Sequence, residues 1–340
     1  MLAISGAFSK VSYIIYNYIF IFPKYFYIPK LSPINMKRKV CKVGPATLVV
    51  SLPARWVKKY GVKKGDEINI EDNNKNLILS LHEFNQDKKS INITIKEGEP
   101  FLRRYINKFY MLGFDEIKLT YVEEKILGLI DKEINSLPGF QIIEQGKNYC
   151  VIENVSKGLD DKFEIMLKRL FFIIIEMMKE IINATKNQDF DSLQNINIME
   201  KSTNKIYFFC KRILNKEGFM QTSHLGFYHS LLHSLEAIAD DLNEFSKIIL
   251  QEKKMPEKDF FEDILILFSD SFDLFNSFNK KKLLGVHNKN DNLFSSIKKN
   301  INRNNPLLTH YFLSIIKHIL HLELAMSHLL DKLLQDEAVQ

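Results

Sequence analysis

The sequence predicts a multidomain α+β protein: a small β-rich module, a small α/β domain and a body of six helices. Three observations lead there. Up to about residue 157, short stretches of alternating apolar and polar residues are punctuated by Gly, Pro and Asn turns. From Gly158 onward, glycine and strand alternation nearly vanish, and long amphipathic stretches replace them. The positive charge is gathered between Met36 and Gly65, where nine Lys and Arg side chains stand without a single Asp or Glu. With 47 basic and 41 acidic residues in 340, the rest of the chain is slightly acidic, so the basic character is local. At 46% hydrophobic and 26% charged, the composition is that of a folded chain of two or three domains.

Residues 1–35 hold an apolar run from Val11 to Phe22 that contains Asn17 and stops at Pro23-Lys24. That run is too short to span a bilayer, and it lacks the charged start and small-residue cleavage site of a signal peptide. Its wealth of Tyr, Ile, Phe and Asn reads as an over-extended start ahead of Met36, or a disordered segment. An interfacial anchor is the functional alternative, without stable membrane insertion.

Residues 36–81 form the basic module. In Thr47 to Leu52 the residues Leu48, Val50 and Leu52 point one way and Thr47, Val49 and Ser51 the other, which makes a strand. Pro53 opens a helix at its first position, where a missing N–H costs nothing, and Gly61 stands where a left-handed residue ends one. At 100° per residue Arg55, Lys58 and Lys59 share one face, and Trp56, Val57 and Tyr60 share the other. Lys64-Gly65-Asp66 turns the chain, Ile68 and Ile70 alternate with polar residues, and Leu77, Leu79 and Leu81 line a strand after the Asp72-to-Lys75 turn. So small a unit buries little apolar surface and needs a partner. The five cations Lys39, Lys42, Arg55, Lys58 and Lys59 are the candidates for DNA phosphates, with Arg55 the best placed for a base edge. A solvated basic face is the plain alternative, although surface lysines usually alternate with acids and these do not.

The Val43-Gly44 turn, the Leu48-to-Pro53 strand–helix junction, the Tyr60-Gly61-Val62 helix end and Lys64-Gly65-Asp66 resemble the AbrB/SpoVT/MazE swapped-hairpin DNA-binding family. The resemblance implies hairpins interleaved from two chains, hence a homodimer with its basic face on duplex DNA. Members often carry an Arg soon after the conserved Gly. This chain has Pro45-Ala46-Thr47, and no base contact is carried over.

Residues 82–157 open with a polar linker and continue as strand (91–98), helix (100–113), strand (115–122), helix (123–137) and a hairpin of 140–145 with 149–155. No glycine-rich phosphate loop or carboxylate constellation occurs there, and a spacer or dimerisation domain is the reading. Residues 158–340 carry six amphipathic stretches, at about 160–186, 189–215, 222–253, 255–278, 281–303 and 306–335, joined by short polar connections as in antiparallel bundles. They divide into two sets of three: Ile238, Leu242 and Phe245 correspond to Leu322, Met326 and Leu329, while Glu236 and Asp240 correspond to Leu320 and Leu324.

Leu235 to Asp240, with its Glu-x-x-x-Asp spacing, and Glu200 to Tyr207 ahead of an aromatic resemble PhoU, a regulator built of two three-helix bundles. The order of modules resembles archaeal fused phosphate-uptake regulators. That resemblance implies carboxylate-held metal, divalent or ferric, with Glu200, Glu236 and Asp240 as ligands in the first bundle. Asn204 stands where a second Asp is expected, and Leu320 and Leu324 replace the second bundle's carboxylates. His229, His233, Glu236 and Asp240, spaced i, i+4, i+7 and i+11, share one helix stripe, and imidazole with carboxylate suits zinc or iron. A solvated acidic row including Asp241 and Glu244 is the plain alternative. His318, His321 and His328 read as bundle-face residues.

Three cysteines, Cys41, Cys150 and Cys210, lie far apart with no CxxC pair, which points away from disulfides and zinc knuckles and toward a cytoplasmic location. No nucleophile elbow, Walker loop or HExxH motif occurs, so no enzyme is indicated. The expected function is DNA-binding transcriptional regulation, of phosphate uptake by resemblance, with the helical body as sensor or docking domain. The alternative is an adaptor on a phosphate transporter or sensor kinase that binds no specific DNA.

Overall fold

A computed structural model of the chain describes residues 37–45, 47–73, 76–81, 88–96, 101–123, 125–156, 162–216, 222–253, 260–300 and 305–326. Residues 1–35 and His328, each read above, lie outside them. The chain divides into two compact units, Met1–Phe84 and Asn85–Gln340.

In the first unit β1 (Val40–Val43) pairs antiparallel with β2 (Thr47–Val50), Val40 opposite Val50. Gly44 takes a left-handed φ of 75° in the turn between them. Helix α1 (Ala54–Tyr60) follows, and then β3 (Asn69–Asn73) pairs antiparallel with β4 (Asn76–Ser80). The two pairs are separate two-stranded sheets. Pro53 is not the first helical residue, as the sequence predicts, but the cap before it. Its ψ of 123° is extended, and its carbonyl accepts the first helical bond from the Val57 N–H at 3.0 Å. Gly61 ends the helix at φ 68°, and both its own N–H and that of Val62 bond to the Val57 carbonyl. Asp66 holds the next turn, its carboxylate accepting from the Lys63 N–H at 2.7 Å. No described residue of this unit is buried. Leu48 is 68% exposed and Val40 63%, so the described residues of this unit give the apolar strands no core.

The second unit begins with a four-stranded sheet of order β5-β6-β8-β7, formed by β5 (Ser90–Ile95), β6 (Glu116–Tyr121), β7 (Phe140–Gln145) and β8 (Tyr149–Asn154). Parallel β5 and β6 are joined by the crossover helix α2 (Leu102–Met111), and α3 (Lys125–Ile134) connects β6 to β7. Ile95, Ile117, Leu119, Tyr121 and Ile152 on one sheet face pack with Ile106 and Tyr110 of α2 and Ile126 and Ile130 of α3. Lys118, Thr120, Asn92 and Thr94 alternate outward and are exposed.

Six helices follow: α4 (Phe163–Asn187), α5 (Gln194–Asn215), α6 (Thr222–Glu252), α7 (Phe261–Asn276), α8 (Lys280–Lys299) and α9 (Pro306–Met326). Each falls on one of the six predicted stretches. Helices α4, α5 and α6 pack on one another, as do α7, α8 and α9, with α6 against α9 and α4 against α7 across the two sets. One continuous core runs through all six. Phe245 of α6 meets Phe261 edge-on at 4.6 Å and Phe312 of α9 at 5.2 Å, so aromatic packing joins the two sets at their centre. Of the residues paired in the repeat correspondence, Ile238, Leu242, Phe245, Leu322 and Met326 are all fully buried, and Leu329 lies outside the described residues. No helix among the described residues is long and apolar enough to cross a membrane.

The α/β layer and the helices are one compact unit, and polar side chains at the end of α5 join them, Arg212 foremost. Arg212 of α5, 3% exposed, donates from Nη1 to the carbonyl oxygens of Tyr110 (3.1 Å) and Phe114. Its Nη2 donates to the Asp115 carboxylate, and its guanidinium lies over the rings of Tyr110 and Phe140. The planar fork satisfies three acceptors at the C-terminal end of α2, where a lysine offers only a point charge. Asn215 adds a bond to the Met111 carbonyl at 2.8 Å. Removing Arg212 strips the donors from two carbonyls and leaves the partly buried Asp115 carboxylate paired with Lys216 alone among the described cations, 3.7 Å away. Arg212→Ala therefore costs about 3–5 kcal/mol in urea unfolding of the full chain, and Arg212→Lys recovers only a minor part of it.

Candidate functional site

Two sites emerge, one in each unit. In the first unit Arg55, Lys58 and Lys59 of α1, with Lys39 and Lys42 of the preceding strand region, are all exposed. No ion pair among the described residues engages any of the five. The opposite face of α1 carries Trp56 and Val57, both half-buried, and Trp56 leans on Tyr60 with ring centroids 5.7 Å apart. Tyr60 departs from the predicted apolar face: it is half exposed, with the Lys59 ammonium 4.8 Å from its ring centre. Short turns held by Gly44, Gly61 and Gly65 let one small unit present these cations without intervening acids.

In the second unit two rows of side chains face each other where α5 packs on α6. On α6 the row is His229, His233, Glu236 and Asp240. On α5 it is Glu200, Asn204, Tyr207 and Lys211, with the same i, i+4, i+7, i+11 spacing that keeps four residues in one stripe. The helices run in opposite senses. At one end the Lys211 ammonium donates to His229 Nδ1 at 3.1 Å and to the His229 carbonyl at 3.2 Å. At the other, Glu200 bears on Asp240 electrostatically and accepts from the Asn204 amide. Between them lie Glu236 and Tyr207. His233 points largely to solvent, its Nδ1 3.8 Å from the Glu236 carboxylate.

Burial dominates the electrostatics of this seam. Glu236 is pushed up to about 7 by burial first, then by Asp240, with Lys211 acting in the opposite direction. Asp240 is raised to about 6 by burial and by Glu200, Asp241 and Glu244, but it is the more exposed of the two and better screened by solvent. Burial and the neighbouring carboxylates raise Tyr207 to about 12. Burial lowers Lys211, with Glu236 opposing and Lys108 adding to it, and burial together with Lys211 lowers His229.

Residues 42–83 match the family model described as antidote-toxin recognition MazE, bacterial antitoxin. The basic module is MazE-like. Among solved structures, the phosphate transport system regulatory protein PhoU from Streptococcus pneumoniae matches with 18% identity and a TM-score of 0.37, covering 49% of this chain and 89% of that one. No curated protein matches the chain. The roles of residues in the helical body are accordingly argued from their own surroundings.

Four of the five predicted DNA-facing cations lie on the surface of the MazE-like segment, and Lys39 is exposed just before it. The candidate metal ligands do not come together as one set: among the described residues, no three His, Cys, Asp or Glu side chains form a group that could hold a metal ion. The chemistry of the donors explains why. Asn204 turns its N–H toward Glu200, His229 Nδ1 is occupied by an ammonium, and His233 lies out in solvent. A metal of the kind the resemblance implies does not fit the residues present. Lys211 and Tyr207 are the seam residues that sequence reasoning missed, although the i, i+4, i+7, i+11 spacing from Glu200 points to both. A second polar pair carries no local signal in the sequence: Glu323 of α9, 5% exposed, lies 3.0 Å from Nδ1 of His287 on α8.

The folded chain keeps the Glu236 proton up to about pH 7, while the unfolded chain releases it near the ordinary value of 4.5. Between those values the native state binds more protons, so stability falls as pH rises, on the order of 3–4 kcal/mol in full before screening. Urea midpoints measured from pH 5 to 8 decline through this window, and Glu236→Gln flattens the decline.

Proposed function

We propose that the chain is a dimeric, DNA-binding transcriptional regulator in the cytoplasm, with no catalytic role. The observation that carries this reading is the MazE-like module itself, with nine cations and no acid from Met36 to Gly65 beside apolar strands that the described residues of the unit leave exposed. A second copy of the module covers them and doubles each cation across a two-fold axis, so the basic surface follows phosphates on both sides of a groove. The helical body serves as the sensor or docking part. Its assignment to phosphate uptake rests on the resemblance of the Leu235-to-Asp240 and Glu200-to-Tyr207 segments, and a phosphate transporter or signalling protein is the partner that resemblance offers.

Lysines act here as flexible point charges, suited to phosphates and poor at fixed base reading, so sequence discrimination is modest and falls mainly to Arg55. In duplex-binding titrations across salt, replacing Lys58 and Lys59 together by Ala weakens binding to all sequences alike. It lowers the log–log salt slope by up to about one unit for each phosphate no longer neutralised. Arg55→Ala instead narrows the gap between operator and random DNA. Unchanged affinity and slope in the double lysine variant would remove α1 from the DNA-facing surface. Chromatin immunoprecipitation separates this reading from that of an adaptor, which predicts no discrete genomic sites.

A further inference from the structure

We infer that β5 is a docking edge for a second copy of this chain, pairing antiparallel with its own counterpart so that the two four-stranded sheets join into one. In the order β5-β6-β8-β7 the two edges differ. Strand β7 is guarded: its register with β8 shifts between Ile142 and Glu144, and Glu144 is an exposed acid. Strand β5 has neither device. Ser90–Ile95 runs in unbroken register with β6, without a charge, a proline or a bulge. The Lys89 carbonyl accepts from the Glu116 N–H, so along the alternating strand Ser90, Asn92 and Thr94 turn their N–H and carbonyl groups away from β6. No strand among the described residues pairs with that row.

The edge is self-complementary. A two-fold axis at Ile93 keeps Ile91, Ile93 and Ile95 on the covered face, sets Ile91 opposite Ile95, and lets Asn92 and Thr94 exchange both main-chain bonds. An axis at Asn92 would set Lys88 opposite Lys96, so like charges select the register at Ile93. In the helical layer Phe101, Tyr105 and Phe109 form a row along α2 and its cap, with ring centroids 6.4 and 6.5 Å apart. Arg103, on the other flank of α2, pairs with Glu133 of α3, so the aromatic row lies on the β5 side. Phe101 is 45% exposed, and the row continues the open edge as an apolar strip that a second copy meets with its own. Ser80 ends β4 and Ser90 begins β5, so a dimer of the first unit also tethers two copies of the edge. That tether rests on the dimer proposed above, whereas the edge and its register do not.

The test is oxidative cross-linking of the purified full chain in a Cys41→Ser background, which leaves the buried Cys150 and Cys210. An axis at Ile93 brings its two α-carbons to about 4.5 Å, within disulfide reach. Ile93→Cys therefore converts to covalent dimer, while Thr120→Cys, exposed on the neighbouring β6, stays monomeric in denaturing gels. Adding Thr94→Pro abolishes the link, because it removes an outward N–H and no bond to β6. A covalent dimer no more abundant with Ile93→Cys than with Thr120→Cys overturns the inference and leaves the edge to a different protein. If Ile93→Cys does not fold, hydrogen exchange of the unsubstituted chain decides: Asn92 and Thr94 amides as slow as those of β6 support the pairing, and open-strand rates overturn it. Twice the chain mass without the link overturns this inference and not the dimer of the first unit. The link in a chain that Thr94→Pro renders monomeric overturns that dimer and not this inference.

Discussion

The apolar strands of the MazE-like module are left exposed by the described residues of their own unit, and this constraint underlies the proposed way the module works. A two-stranded ribbon is marginal in water, and β1–β2 and β3–β4 are two such ribbons with exposed Val40, Leu48, Ile70 and Leu77. Exposed apolar surface in a small unit marks a place where another surface belongs. In the proposed dimer a second copy covers these strands and, by symmetry, places two sets of the same cations on one side. Burial and charge are thereby coupled: the step that stabilises the fold also assembles the surface for a polyanion.

The second unit rests on different physics. Its core is continuous and internal, and its polar groups are few, specific and paired across helices. Arg212 ties the helices to the α/β layer by donating to the Tyr110 carbonyl near the end of α2 and to the Phe114 carbonyl and Asp115 carboxylate just beyond it. Its immediate neighbour on α5, Lys211, points away from the α/β layer and enters the seam with α6. Adjacent basic residues therefore serve two interfaces, one binding α5 to the α/β layer and the other binding α5 to α6 at His229.

Much of this is legible in the sequence because the signals are local. Gly61 at the end of α1, the alternation of Leu48, Val49 and Val50, and the helical periodicity after Gly158 each depend on neighbours within a few residues. What sequence reasoning misses depends on contacts far along the chain. Arg212 and Asp115 are 97 positions apart, and nothing near either marks the other as its partner. Lys211 lies within reach of a spacing argument from Glu200, but a search for metal-binding acids passes over a lysine. Pro53 is displaced by one place, from first helical residue to cap, because its extended ψ lets its carbonyl start the helix. The carboxyl row on α6 has the spacing of a ligand stripe, and its meaning changes once the opposing donors on α5 are in view.

The mass of the full chain in solution, by light scattering at micromolar concentration with and without a short duplex, tests the central claim most directly. The account predicts twice the chain mass alone and two chains per duplex when DNA is added at low salt. A monomer under both conditions would contradict it, since the strands of the MazE-like module would then be stable without the cover on which the whole reading depends.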